Sequence, residues 1–161
     1  MSFGRVSTYT TGTQIMVAAD ALQNMKWKVG GITLDWATVA AVAADTLLAD
    51  GTLIPNGQKG IEYGTVLCRI TATGFYGPYN SGATDGRQTL ARGACFILNE
   101  SVLQTVPFGI GSAPTNHPAV FEGGKVWKAR LKAATVGTVP LPAYSALEAA
   151  LPLLEYVDTA L

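Results

Sequence analysis

Glycine-containing turn dipeptides recur through the middle of the sequence and constrain the fold most strongly. They separate short runs of Val, Ile, Leu and Thr, which include strong strand formers, and their positions are Asp50-Gly51, Asn56-Gly57, Gly74, Ser81-Gly82 and Asp85-Gly86. Asp-Gly and Asn-Gly supply the positive φ angles that tight turns between strands require. Turns spaced roughly eight to twelve residues apart are typical of all-β domains. The sequence therefore predicts a mainly β fold, a small β-barrel or β-sandwich.

The run KVWKARLKA, at residues 125–133, alternates between apolar and cationic positions. Trp127, Ala129 and Leu131 would share one side of a strand, and the three intervening cations would share the other. On a helix, at about 100° per residue, the same cations would be spread around the axis. The pattern predicts a strand with Trp127 facing the core.

Three regions are predicted along the chain. Residues 1–16 are rich in Thr, Ser and Gly and have almost no apolar periodicity, which indicates an extended N-terminal arm. Residues 17–140 form the β-rich domain, and residues 141–161 form a short C-terminal helical tail packed on the same domain. In the tail, Ser145 and Glu148 have the spacing of a capping box, and Pro152 is expected to end the helix.

Three segments within this plan have weaker patterns. Residues 17–28 have apolar positions at loosely helical spacing, which predicts a short helix. Residues 36–44 fit either a strand or an Ala-rich helix, and periodicity does not separate the two. Residues 105–124 contain several Pro and Gly residues and are predicted to form a long irregular loop, a kind of segment that is often functional.

Charge and composition exclude several classes of protein. Charged residues make up 14% of the chain, against roughly 25% in an ordinary soluble protein. Eleven Lys and Arg balance eleven Asp and Glu, which argues against intrinsic disorder and against a general nucleic-acid binder. A chain with so little charge has little to repel its neighbours, so we expect much of its surface to be covered by another protein.

No membrane association is expected. The longest apolar stretch, at residues 36–44, is much shorter than the roughly 20 residues that span a bilayer, and the N-terminus lacks the apolar core of a signal peptide. The cysteines, Cys68 and Cys95, lie in apolar runs and are too few for a disulfide framework. We expect two reduced thiols in the core of a protein made in a cytoplasm.

Motifs for catalysis or for cofactor binding are not recognisable in the sequence. The lone histidine, His117, has no Cys or acidic neighbour with which to hold a metal, and it is expected to be an exposed loop residue. The glycines at residues 109–111 and 123–124 do not fit dinucleotide or phosphate-loop patterns. We therefore expect no enzymatic activity, no cofactor and no metal site.

An aromatic segment follows the turn at Gly74. Phe75, Tyr76 and Tyr79 are interspersed with Gly77 and Pro78. Aromatic side chains on such a turn can anchor an interface or stack on a sugar, but they can equally close the end of a barrel. The sequence leaves these alternatives open.

The middle of the chain resembles the head decoration proteins of tailed bacteriophages. The stretch GTVLCRITATGFYGPY begins at Gly64, DGRQTLA follows from Asp85, and GACFIL follows from Gly93. The family pattern is GTVLG-x-[IV]-T-x-TG-x-Y-x-PY followed by DG-x-x-x-A-x-G-I-L. The matching positions are Gly64 to Leu67, Thr71, Thr73, Gly74, Tyr76, Pro78, Tyr79, Asp85, Gly86, Ala91 and Gly93. The resemblance covers residues 44–100, about a third of the chain.

This resemblance implies a non-enzymatic structural protein of the virion. In the family, a small β-rich domain forms a homotrimer at three-fold and quasi-three-fold positions on the outer surface of the expanded capsid. An N-terminal arm contacts the major capsid protein and often adds a strand to it. For this chain the expected contact residues are Phe3, Arg5, Val6, Thr8, Tyr9 and Thr10 in the arm, and Phe75, Tyr76, Pro78 and Tyr79 in the aromatic segment. The longer N-terminal part and the C-terminal region from Trp127 onward depart from the family.

Two alternative functions are considered. The chain could be another virion surface module, such as a fibre base or an adhesin, whose aromatic segment binds host glycans. It could also be a small β-barrel enzyme or cofactor carrier, which the absence of a recognisable catalytic motif disfavours.

Overall fold

A computed structural model of the protein describes residues 25–104, 114–117, 120–133 and 141–158. This part of the chain contains twelve short strands and one α-helix. The strands are β1 (Lys26–Trp27), β2 (Ile32–Leu34), β3 (Thr46–Leu47), β4 (Leu53–Ile54), β5 (Gly60–Ile61), β6 (Val66–Arg69), β7 (Tyr76–Pro78), β8 (Cys95–Leu98), β9 (Val102–Leu103), β10 (Thr115–His117), β11 (Val120–Trp127) and β12 (Leu153–Val157), and the helix is α1 (Tyr144–Ala150). The predicted mainly β fold is confirmed.

Most strands belong to one mixed sheet. Its order is β1-β11-β8-β6-β7-β2-β10, and β12 pairs with β11 in parallel. The β2–β7 pair is also parallel, and the remaining neighbours are antiparallel. Two small ribbons, β3–β4 and β5–β9, lie outside this sheet.

The main sheet curls because β1 and β2, which lie near its opposite ends, are consecutive in sequence. β1 and β2 are five strand positions apart, which in a flat sheet is about 24 Å. The connection from Trp27 to Ile32 contains four residues and reaches at most about 18 Å. Since the connection is shorter than the flat distance, the sheet must bend. No pairing between described strands joins β10 to β1, so the strands that are described do not close into a barrel.

Both faces of the central strands are buried. One face of β6 and β8 contributes Val66, Cys68, Cys95 and Ile97 to a large apolar cluster, which also contains Phe121 of β11. The opposite face contributes to a second cluster, with members Ile32, Leu34, Trp36, Val39, Ile61, Leu67, Phe96, Leu98 and Val120. Both cysteines are free and fully buried, as the sequence predicts.

The C-terminal segment covers the first of these faces. Leu147 and Ala150 of α1, followed by Leu151 and Leu154, pack into the cluster that contains the cysteines. The helix begins after Ala143, which supplies no side-chain cap, so the predicted capping role of Ser145 is wrong. The tail also contains a strand that the sequence analysis missed, since β12 follows Pro152 directly.

The predicted strand at residues 125–133 is wrong in position. β11 ends at Trp127, and Lys128–Arg130 form a 3₁₀ turn. Val126 is fully buried, whereas Trp127 is only partly buried, so the predicted inward side is also reversed. The strand begins at Val120 and includes Gly123, which lies between two neighbouring strands. A Cβ added there would be 3.0 Å from Cβ of Leu153 and 3.1 Å from Cβ of Lys26. This glycine allows close strand packing and does not mark a loop.

Three other sequence predictions need correction. The predicted helix at residues 17–28 ends in strand β1, and residues 17–24 lie outside the described part. Residues 36–44 form neither a strand nor an α-helix, because only Trp36–Thr38 are regular, as a 3₁₀ turn capped by the Asp35 carboxylate. The predicted loop at residues 105–124 contains β10 and the start of β11, so His117 lies in a strand.

An ion pair at the edge of the core connects distant segments. Nζ of Lys132 contacts Oε1 of Glu62 and lies 4.9 Å from the ring centroid of Tyr63. The same Glu62 oxygen accepts a hydrogen bond from the backbone N–H of Ala49 at 3.2 Å. Glu62 is 7% exposed, so its charge depends on these partners for compensation.

We expect Lys132→Met to destabilise the protein by about 1–3 kcal/mol, because it leaves the Glu62 carboxylate buried without its cation. Lys125→Met is the matched control, since Lys125 pairs with Glu155 on the exposed surface and such pairs contribute about 1 kcal/mol or less. Urea unfolding of both variants measures the difference. Equal losses would show that the Glu62–Lys132 pair contributes no more than an exposed pair.

Candidate functional site

A clamp fastens the loop after β7 to the central sheet. Nε of Arg87 donates to Oδ2 of Asp85 at 2.9 Å, and the Arg87 backbone N–H donates to Oδ1 at 3.1 Å. The guanidinium also reaches the carbonyl oxygen of Pro78, at 3.4 Å. This arrangement holds the segment Asp85–Arg87 against the end of β7.

The clamp shifts the titration of its carboxyl group. Burial raises the pKa of Asp85, but hydrogen bonds from the backbone and guanidinium of Arg87 lower it by more, so the pKa lies below its usual value. A lowered pKa means that the clamp stabilises the fold at neutral pH. That contribution is lost as the pH falls through the pKa of the folded state.

Gly86 is required by the path of this loop. Its φ is +111°, and an added Cβ would lie 2.4 Å from Oγ1 of Thr71 and 2.9 Å from the carbonyl oxygen of Arg69. Any side chain here would be strained by the backbone conformation and blocked by the end of β6. The Asp85-Gly86 dipeptide therefore allows a close approach between the loop and the sheet.

The predicted aromatic contact residues divide between surface and core. Pro78 and Tyr79 are buried, and Tyr79 belongs to the core cluster beside the cysteines. Phe75 and Tyr76 are partly exposed, and the Tyr76 ring packs on Phe96 with centroids 5.5 Å apart. Burial raises the pKa of the Tyr76 hydroxyl. Of the four predicted aromatic-segment residues, Phe75 and Tyr76 are therefore the two with side-chain surface exposed in the described part.

The predicted contact residues of the arm, Phe3, Arg5, Val6, Thr8, Tyr9 and Thr10, lie outside the described residues. The first described residue, Met25, directly precedes β1, which is an outer strand of the main sheet. β1 pairs with β11 at Lys26↔Gly123 and Trp27↔Phe121, and no described strand pairs with its other side. The predicted arm region is thus followed by the strand at one end of the described strand order.

An apolar surface that the sequence analysis missed lies on the β3–β4 hairpin. Leu47 and Leu53 are directly opposite one another and are 70% and 48% exposed. The inward side chains of the hairpin, Leu48 and Ile54, form a small cluster with Val42. In a strand, alternating residues face opposite sides, so a polar residue is expected at the outward position. Here both Leu47 and Leu48 are apolar, and the sequence therefore shows no alternation that would mark Leu47 as outward-facing.

The clefts lined by described residues include two near the central strands. One, of about 200 Å³, lies between β8, the end of α1 and β12, and its lining includes Lys26, Arg92 and Cys95. The other, of about 330 Å³, is lined by Arg69, Thr71, Gly86, Thr89, Ala91 and Ala94. The described side chains include no group of three or more His, Cys, Asp or Glu that could hold a metal ion.

The comparisons with known proteins gave no match. No family model matches the chain, and neither a curated protein nor a solved structure is similar to it. Within the described ranges, no helix has the length and apolar character needed to cross a membrane.

We expect Gly86→Ala to destabilise the protein by about 1–3 kcal/mol, because the alanine would be strained at positive φ and would displace Thr71. Gly82→Ala is the matched control in the same loop. A Cβ added at Gly82 would lie 3.5 Å from Oδ1 of Asn80, which is an ordinary van der Waals contact. Thermal unfolding of both variants tests this prediction. Identical melting temperatures for the two variants would contradict the close approach at Gly86.

Proposed function

We propose that this protein is a capsid decoration protein of a tailed bacteriophage. In this proposal it binds the outer surface of the expanded capsid, bridges neighbouring major capsid proteins and acts by binding alone. Its fold would be the small barrel-like or sandwich-like β domain of that family. The protein would be made in the host cytoplasm and become part of the virion.

The observation that carries the proposal is the position of β1, which directly follows the predicted arm region and stands at one end of the described strand order. Twenty-five residues precede β1, and an extended chain of that length reaches about 80 Å at most. Such a segment can pair with the sheet edge of a partner while the domain remains beside it. The family-like motif supports the proposal as well, since two of its positions, Asp85 and Pro78, are bonded by the same Arg87 side chain.

The stabilising effect would follow from linkage. A protein that binds the assembled shell, and not the separate subunits, stabilises the shell by an amount that grows with its concentration relative to Kd. Ordering the arm costs about 1–2 kcal/mol per residue of backbone entropy, so its contacts with the capsid must exceed that cost. Many bound copies would then oppose the pressure of packaged DNA without contacting the DNA.

Self-association is part of the proposal, and the Leu47–Leu53 pair is its proposed surface. Two leucines exposed side by side on one hairpin present apolar surface that association would remove from water. The formal net charge of zero adds no net repulsion between copies. We propose a homotrimer in which this hairpin contacts the neighbouring subunit.

Deleting residues 2–14 should leave the melting temperature of the domain nearly unchanged, because the deleted segment ends well before β1. It should sharply weaken binding to empty expanded capsids assembled from the accompanying major capsid protein. Co-sedimentation across a concentration series measures the change. A variant with these residues replaced by an equally long Gly-Ser sequence is the control, which keeps the length and removes the strand propensity.

Both arm variants should bind more weakly than the intact chain by at least about tenfold, which corresponds to about 1.4 kcal/mol. Undiminished binding of the deletion variant would refute the arm contact. If the intact chain fails to bind capsids but binds glycans on an array, the decoration function is wrong and the adhesin alternative gains support.

Leu47→Lys should weaken self-association by about tenfold or more, because it would place an unpaired charge in an apolar contact. Val29→Lys is the control, since Val29 is 90% exposed at a turn far along the chain from the hairpin. Analytical ultracentrifugation over a range of concentrations gives the association constants. A monomeric wild-type protein at every concentration, or an equal effect of both substitutions, would contradict the proposed subunit surface.

A further inference from the structure

Cys68 and Cys95 are direct partners in the β6–β8 pair. The backbone N–H of Arg69 donates to the carbonyl oxygen of Ala94 at 3.0 Å, which makes the adjacent register pair a hydrogen-bonded one. Hydrogen-bonded and non-hydrogen-bonded pairs alternate along an antiparallel ladder. The cysteines therefore occupy a non-hydrogen-bonded pair, the position at which Cα atoms are about 4.5 Å apart and side chains are closest.

The distance between the two sulfur atoms is 3.3 Å. A disulfide has an S–S bond of about 2.05 Å and accepts Cα separations of about 4.4–6.8 Å. The sulfur atoms would need to approach by roughly 1.3 Å, a movement within reach of small side-chain rotations. The backbone register already suits the bond.

The two thiols are not equivalent. The hydrogen bond between the two sulfur atoms and burial both raise the pKa of Cys68, whereas the same hydrogen bond lowers the pKa of Cys95. Cys95 also contributes to the lining of the cleft of about 200 Å³, together with the cationic residues Lys26 and Arg92. Cys68 does not line this cleft, so Cys95 is the thiol of the pair that a small oxidant would reach first.

We propose that Cys68 and Cys95 are an oxidation site, at which hydrogen peroxide converts the buried pair into a cross-strand disulfide. The small peroxide molecule would approach Cys95 through the cleft. The proposal rests on the geometry of the pair and is independent of the proposed capsid function.

The chemistry proceeds in two steps. The Cys95 sulfur attacks one peroxide oxygen, the O–O bond breaks, and the released hydroxide takes up the thiol proton as water, which leaves a sulfenic acid on Cys95. The Cys68 sulfur then attacks the sulfenic sulfur, the S–O bond breaks, and the leaving hydroxide takes the Cys68 proton as a second water. Overall two thiols lose two electrons, and one peroxide is reduced to two waters.

The bond would join the two central strands across 27 positions of sequence. The closed segment contains β7, the Asp85–Arg87 clamp and the turn at Gly93. Closing a loop of this length stabilises mainly by restricting the unfolded chain. An increase in melting temperature of about 5–10 °C is expected for a protein of this size.

The test treats the reduced full-length protein with hydrogen peroxide, then removes the peroxide and alkylates under denaturing conditions. The chain has only these two cysteines, so the number of alkyl groups reports the pair directly. Untreated protein should carry two alkyl groups and treated protein none. Peptide mapping without reduction should find the peptide that contains Cys68 joined to the peptide that contains Cys95. The same map locates any methionine oxidation, because that product adds mass to methionine-containing peptides.

Single variants test the order of the steps. Cys68→Ala should leave a Cys95 sulfenic acid that dimedone traps, whereas Cys95→Ala should give much less trapping at Cys68. Circular dichroism checks that both variants fold. If one variant does not fold, the alkylation and peptide-mapping results on wild-type protein still test the disulfide. The proposal is overturned if wild-type protein keeps two alkylatable thiols, if the linkage joins two chains, or if the oxidised protein melts at the same temperature as the reduced one.

Discussion

The pairing of β6 with β8 is the constraint on which the rest of the structure depends. All four residues of β8 are buried, as are the first three of β6, so both faces of the sheet centre must be covered by other parts of the chain. Since strand side chains alternate, the two strands supply two separate apolar faces. One face is covered by α1 and its flanking leucines, and the other by β2 and the turn at Trp36.

Because both faces of β6 and β8 must be covered, the C-terminal segment is part of the domain. β12 pairs with β11, and Leu147 and Leu154 contribute to the same cluster as Cys68 and Cys95. A short helix such as α1 has little stability alone, and its burial on the sheet supplies what its propensity does not. Within the described part, exposed apolar surface lies at the periphery and includes the outer side of the β3–β4 hairpin.

Several elements could be predicted from local patterns. The runs around Cys68 and Cys95 are strands, the Asp85-Gly86 position is a turn, and a helix precedes Pro152. The errors arose where tertiary contacts override local patterns. Gly123 is a residue type that favours loops, yet it lies between two strands. The apolar–cationic alternation after Trp127 falls in a 3₁₀ turn and not in a strand. The local pattern does not distinguish the aromatic residues from one another, yet Tyr79 is buried and Phe75 is partly exposed.

The sequence by itself determined the mainly β character, the low charge and the placement of both cysteines in apolar strands, because these follow from residue type and short-range spacing. Only the tertiary structure decided that Cys68 faces Cys95, that Glu62 meets Lys132 and that Leu47 and Leu53 remain exposed. These pairings depend on strand order and register. Those are set by how the whole chain covers both faces of β6 and β8, and local sequence does not encode such long-range packing.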